Sequence, residues 1–294
     1  MRPIASWLVA RPRNAVLGLA ATLLLPFAQV LSGTLMALLV LQQGASLSAV
    51  QGLVAAVILA MVSLLVSAPV AQVLANAVII WVPVILLAAL MRNTRSLTLA
   101  LQVAALVALV VTLAFYLVLG DPTAWWSEVL VDVAAAFRDM GLERHADALT
   151  AQRQVVAGQM TTLVVLTGWT LYAMVVLLGY VVWRTLPDKG AVYGRFCDLN
   201  LGRVLALTMA VSSVLAVLTG SDWLENLAFV AFMMFWLQGL AIIHWLHAER
   251  DMPVLVVILA YALLPFLNAL LLMALAVVGY IDAWFEFRRS RVRQ

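Results

Sequence analysis

The sequence has little charge. Of its 294 residues 11% are Asp, Glu, Lys or Arg, against about 25% in a soluble domain, while 66% are hydrophobic and the mean hydropathy is +1.09. Such a surface cannot be dissolved in water, so the chain reads as an integral membrane protein. Cysteine is nearly absent: Cys197 alone excludes an internal disulfide and a cysteine-only metal cage. Histidine is scarce at three residues. His244-Trp245-Leu246-His247, followed by Glu249, lacks the HExxH order that puts a base beside a helical zinc pair, so it reads as an interfacial pair. There is no G-x-S-x-G elbow, no glycine-rich phosphate loop and no pair of membrane aspartates. No catalytic, metal or cofactor constellation is left, and the expectation is a protein without enzymatic activity of its own. Of the 17 basic residues only Lys189 is lysine. The arginines sit in short loops, the pattern of a topology signal rather than a nucleic-acid surface.

What the sequence does have is long apolar runs. A hydrocarbon core of about 30 Å takes roughly 20 helical residues, and by that measure membrane segments fall at about 15–41, 48–66, 70–91, 97–119, 159–183, 203–220, 225–247 and 253–286. The expectation is an all-α polytopic bundle of about eight segments, a single integral membrane domain over 1–294. The first segment follows Arg11 and Arg13 and lacks a cleavage site, so it reads as an uncleaved span. The first and last segments are long enough for either a tilted helix or a tight hairpin, and each has a breaker: Pro26 in one, Pro265 with Asn268 in the other. A third break is expected at Pro83. Arginines put the N-terminus, the loop at Arg92 and Arg95, the 184–203 loop, Arg250 and the C-terminus inside. Residues 120–158, with six acids against three arginines, are read as an extracytoplasmic amphipathic loop. Its first helix places Glu128, Asp132 and Asp139 on one face and Val129, Val133, Ala136, Phe137 and Met140 on another, stops at Gly141, and gives way to a second helix over 142–156. Such a loop lies on the outer leaflet or forms a lid.

Uncharged polar residues inside apolar runs must find partners, because lipid offers none. Gln29, Gln72, Asn76, Gln102, Gln238 and Asn268 are of this kind. They serve either as glue between helices or, with Trp236 and other aromatics, as the lining of a small-molecule cavity. Small residues recur every four positions at Gly52, Ala56 and Ala60 and at Gly279 and Ala283. They suit close packing within the bundle or docking of a membrane partner.

The C-terminal stretch has the one polar anomaly. Gly279-Tyr280-Ile281-Asp282-Ala283-Trp284-Phe285-Glu286-Phe287-Arg288 leaves an apolar run through an aromatic collar into an arginine tail. Asp282 is costly to bury there. At helical spacing it shares a face with Phe285 and Arg289, and Arg288 lies about as near. Asp282, Arg288 and Arg289 are therefore candidates for an ion pair or a partner-docking point.

These ten residues resemble the C-terminal signature of the YybS-like bacterial membrane proteins: Gly, two apolar residues, Asp, a spacer, two aromatics, a polar residue, Phe, Arg. The resemblance implies a multi-spanning protein of the bacterial inner membrane. It also implies a fold similar to the S components of energy-coupling-factor vitamin transporters, which bind a vitamin or metal ion and dock on a transmembrane subunit driven by two ATPases. The chain departs from that pattern in having more than six expected helices and a charged 120–158 loop. The function expected is a transport-associated or small-molecule-binding subunit acting with partner proteins. The alternative is a membrane scaffold that recruits envelope proteins through the outer loop or C-terminal tail. Neither reading involves nucleic acid or a cofactor.

Overall fold

The computed structural model describes residues 2–67, 69–187, 192–249, 252–263 and 268–288, with only the backbone of Arg2 and Asn268. Lys189, Arg250, Pro265, Arg289 and the side chain of Asn268, all named above, lie outside the described residues. The regular elements are all helical: α1 (Arg2–Ala10), α2 (Pro12–Leu23), α3 (Ala28–Gln43), α4 (Ala45–Leu65), α5 (Val70–Thr94), α6 (Leu97–Leu119), α7 (Pro122–Asp139), α8 (Glu143–Ala151), α9 (Arg153–Trp183), α10 (Gly202–Thr219), α11 (Asp222–Ala248), α12 (Val254–Leu263) and α13 (Asn268–Phe285). A 3-10 turn occupies Phe196–Asp198.

Among the described residues six helices are long and apolar enough to cross a membrane: α4, α5, α6, α9, α10 and α11. They account for six of the eight expected segments. Of the other two, the first is broken into α2 and α3, while the last holds α12 and α13, and residues 264–267 between them lie outside the described ones. The first break has a visible cause. Proline disfavours helical backbone at the residue before it, and after Pro26 the chain passes through Phe27 at φ 60° before α3 begins. Pro83 does the opposite of what the sequence suggests, since α5 runs through it unbroken. A proline has no N–H to give the carbonyl four residues back, which is that of Ile79. The hydroxyl of Tyr172 on α9 donates to Ile79 O at 2.7 Å instead. A side chain from another helix thus repairs the gap, and α5 has no need to break.

The chain divides into two compact units, the first of residues 1–104 and 169–196, the second of 105–168 and 197–294. The division falls within α6 and α9.

Unit 1 is built on α3, whose residues Leu35 to Leu41 are at most 4% exposed and so buried on all sides. Helices α2, α4 and α5 pack against it. Glycines permit this: a Cβ on Gly52 would meet Met36 Cε at 2.9 Å, and one on Gly33 would meet Val175 Cγ1 at 2.8 Å. Ser32 on α3 accepts from Trp81 Nε1 on α5 at 2.8 Å. Tyr180, Trp183 and Tyr193 form a buried stack, tied down by the Tyr180 hydroxyl donating to Gly194 O at 2.8 Å and by Trp183 Nε1 donating to Gln42 Oε1 at 3.0 Å.

Unit 2 is built on α11. In its most apolar stretch 61% of residues are buried, against 17% for α10. Val230, Ala231, Met234, Phe235, Gln238 and Ala241 are fully buried, mostly against α10 and α13. At the crossing with α13 the backbones touch: a Cβ on Gly279 would overlap Phe235 O, and one on Gly239 would overlap Leu275 O. Helix α7 sits on α8 and on the start of α9, with Trp126, Leu130 and Ala157 as a small core beside Phe115. Trp126 Nε1 donates to Thr161 Oγ1 at 2.9 Å. The buried face of α7 is Trp126, Leu130 and Ala134, while Val133, Ala136 and Met140 are exposed. The large indole with its polar anchor sets the rotation of the helix, outweighing the apolar count of the other face. Gly141 ends this hairpin arm at φ 74° as expected, but α8 stops at Ala151 and α9 begins at Arg153, earlier than the sequence suggests.

Candidate functional site

The cluster that stands out lies in unit 2, where α13 ends. Asp282 is 1% exposed. Its Oδ2 accepts from Gln238 Nε2 at 2.7 Å and from Arg288 Nη2 at 2.6 Å. Gln238, fully buried on α11, uses its Oε1 to accept from the N–H of Leu201 at 2.7 Å. Arg288 donates to two further acceptors, Cys197 O from Nη1 and Leu199 O from Nη2, both at 2.6 Å. One amide, one carboxylate and one guanidinium thus fasten the 197–201 segment to α11 and α13.

Local backbone makes this possible. Helix α13 stops at Phe285, and Glu286 takes a left-handed conformation at φ 48°, which turns the chain so that Arg288 returns to Asp282. Glu286 forms an ion pair with Arg203 at 3.4 Å, outside the buried cluster. Two charges taken out of water are tolerated only when paired and further hydrogen-bonded. Here they are, with one exception: Asp282 Oδ1 is buried without a hydrogen-bond partner. The arrangement is a charge-neutral clasp with a spare acceptor.

A family model described as predicted membrane protein (DUF2232) matches residues 14–283. The chain belongs to this family. The DUF2232 match takes in Gln238, the 197–201 segment and Asp282, and it stops short of Arg288. No match was found among curated proteins or among solved structures.

Of the other residues named from sequence, this DUF2232 protein brings few together. Gln29 is exposed and edges a small cleft in unit 1 with Ile79, Ile80, Val84, Leu171, Tyr172 and Val175. Gln72 and Asn76 are exposed on α5, Gln102 is half-buried on α6, and Trp236 is half-buried on α11. Gly52 is buried between α3 and α5, with Ala56 and Ala60 half-buried on the same helix, so the first of the three small residues is used inside unit 1. Gly279 is likewise used in the α11–α13 crossing, and Ala283 is buried. His244 Nε2 lies 3.0 Å from the Tyr261 hydroxyl and His247 Nδ1 lies 3.1 Å from Met252 O, and among the described residues no group of three metal-ligating side chains occurs.

Sequence reading missed a second polar network in unit 2, in which the Thr162 hydroxyl donates to Asn226 Oδ1 at 2.7 Å and Asn226 Nδ2 donates to the Tyr116 hydroxyl. Three polar residues on three apolar helices were the available signal. The sequence also offers Asp282 with Arg288 six residues on. Only the turn at Glu286 shows why that spacing, which matches no helical face, closes.

Proposed function

We propose that this family member is a multi-pass subunit of the bacterial inner membrane, with both termini cytoplasmic. It binds a small molecule and acts in transport with partner proteins, and it has no catalytic activity of its own. The observation that carries this reading is the break between α2 and α3. A helix interrupted within an apolar run leaves N–H and C=O groups that lipid cannot satisfy. Membrane transporters keep such interruptions where backbone lines a binding site. Two residues past the break, Gln29 reaches the cleft of about 20 Å³ at the Pro83 repair, where the Tyr172 hydroxyl is the other polar group. A cleft of this size holds one water-sized group as it stands, so a larger ligand enters by parting α3 from α9. Partner ATPases supply the energy, since the chain has no phosphate-binding loop.

The test is gentle purification followed by mass spectrometry of both proteins and small molecules, with a vitamin and metal-ion panel for binding. A ligand or coupling partner retained by the wild type, with ligand binding weakened by Gln29→Leu or Tyr172→Phe, supports the reading. A folded protein that binds nothing saturably across the panel rejects it.

A second reading, a scaffold for envelope proteins, draws on α7. The helix is anchored through Trp126 while Glu128, Asp132 and Asp139 face outward. Reversing those three charges would then abolish a co-purifying protein partner without unfolding unit 2.

A further inference from the structure

The elements that supply the acceptors around Arg288 are also tied to one another by a residue other than Arg288. Gln238 fixes Asp282 through Nε2 and fixes the 197–201 segment through Oε1. The carboxylate and the carbonyls of Cys197 and Leu199 therefore form a preorganised set, supplied by α13 and by a loop that a third residue ties to α11. Arg288 arrives from beyond the end of α13, after a left-handed turn at a glutamate.

Its fit is also incomplete. Guanidinium and carboxylate bind best as two parallel N–H···O bonds. Arg288 reaches only Oδ2, while Oδ1 is buried and has no donor. Three acceptors at 2.6 Å around one planar cation identify the group the set is shaped for, since an ammonium on a flexible stem is a point charge without a fork. We propose that Asp282, Gln238 and the carbonyls of Cys197 and Leu199 form a guanidinium-binding site, filled in this state by the chain's own Arg288, and that an alkylguanidinium ligand able to use both carboxylate oxygens takes its place. The Arg288 side chain is 10% exposed, which limits that ligand to about the dimensions of an arginine side chain. The proposal concerns unit 2 alone and is independent of the cleft at Gln29.

The tethered arginine competes at the millimolar effective concentration typical of a short connection. A free ligand should therefore bind wild type more weakly than a chain lacking Arg288. The experiment uses the full chain in nanodiscs with ethylguanidinium as probe and ethylammonium as control. Its two readouts are thermal stability and alkylation of Cys197, the sole cysteine, which is buried and whose carbonyl the clasp holds. Arg288→Ala should lower the melting temperature and raise the Cys197 alkylation rate at least tenfold. Ethylguanidinium should reverse both changes saturably, with an affinity at least tenfold better than for wild type. Ethylammonium should do neither, and the added change Asp282→Asn should remove the response. Equal effects of the two cations, equal affinity for wild type and Arg288→Ala, or a response that survives Asp282→Asn would each overturn the proposal. If Arg288→Ala does not yield folded protein, Arg288→Lys replaces it and is judged by the same outcomes.

Discussion

Arg92 in unit 1 and Arg288 in unit 2 perform the same local task, and the means differ. Arg92 Nη1 donates to Val40 O near the end of α3 at 2.9 Å, lying against Gly44, where the chain turns at φ 101° and a side chain would crowd the guanidinium. Arg288 donates to Cys197 O and Leu199 O. Both therefore give a guanidinium donor to backbone carbonyls, and at Val40 O it is added to the Gly44 N–H, which donates there at 2.9 Å. Arg92 is only half-buried and has no carboxylate among its described partners. Arg288 is nearly buried and has Asp282. A cation that keeps contact with water or headgroups needs only acceptors, whereas one removed from water needs an opposite charge as well. Depth of burial decides whether the cap must also be an ion pair.

The largest effect should come from separating the elements on which the clasp depends. Gly279→Leu puts a side chain where α11 and α13 have backbone in contact, and it should abolish the folded state of unit 2, read as lost monodispersity in detergent and rapid proteolysis. Next comes Asp282→Ala, which strands Arg288 and should cost about 3–5 kcal/mol, the usual range for one partner of a buried pair. The double change Asp282→Leu with Arg288→Met removes both charges and should cost far less than either single change adds up to. Near-additivity in chemical unfolding would mean that the two do not act as a pair. Arg92→Met should cost only about 1 kcal/mol, one ordinary hydrogen bond. A loss as large as that of Asp282→Ala would break the comparison. The smallest effect belongs to the proline repair. Tyr172→Phe should cost about 0.6 kcal/mol, typical of a hydrogen bond between membrane helices, and less still in a Pro83→Ala background, where an N–H returns to the Ile79 carbonyl. An undiminished cost there would show that the hydroxyl serves something other than that carbonyl.

The membrane class and most helices were legible because they depend on runs of apolar side chains about as long as a bilayer is thick. The break at Pro26 was legible for a similarly local reason, the missing N–H and restricted backbone of one residue. Pro83 was misread by the same rule, since its effect was decided by Tyr172, 89 positions away in sequence on another helix. Asp282 stood out because carboxylates are rare in such segments, and Arg288 was named near it. Their closure depends on Glu286 leaving helical backbone, which no periodicity encodes. Gln238 was named either as glue between helices or as cavity lining, and it fastens two elements, because an amide has both a donor and an acceptor end and the structure uses each. The inward face of α7 was not read from the sequence, because counting apolar residues gives no weight to one indole that has both a packing site and a hydroxyl partner.

The interruption at Phe27 has a consequence for solvent exchange. The first N–H groups of any helix have no acceptor within it, and Phe27, at the cap position of α3, offers no side-chain oxygen to replace one. The amides of Ala28 and Gln29 therefore lie in the middle of an apolar run with nothing in their own helix to protect them. In deuterated buffer they should exchange early, while the amides of Met234 and Phe235, deep in a helix of equal apolarity, keep their protons. Two stretches alike on a hydropathy plot would be told apart by isotope uptake within one protein, with deuterium entering where the chain lets water approach the centre of the span.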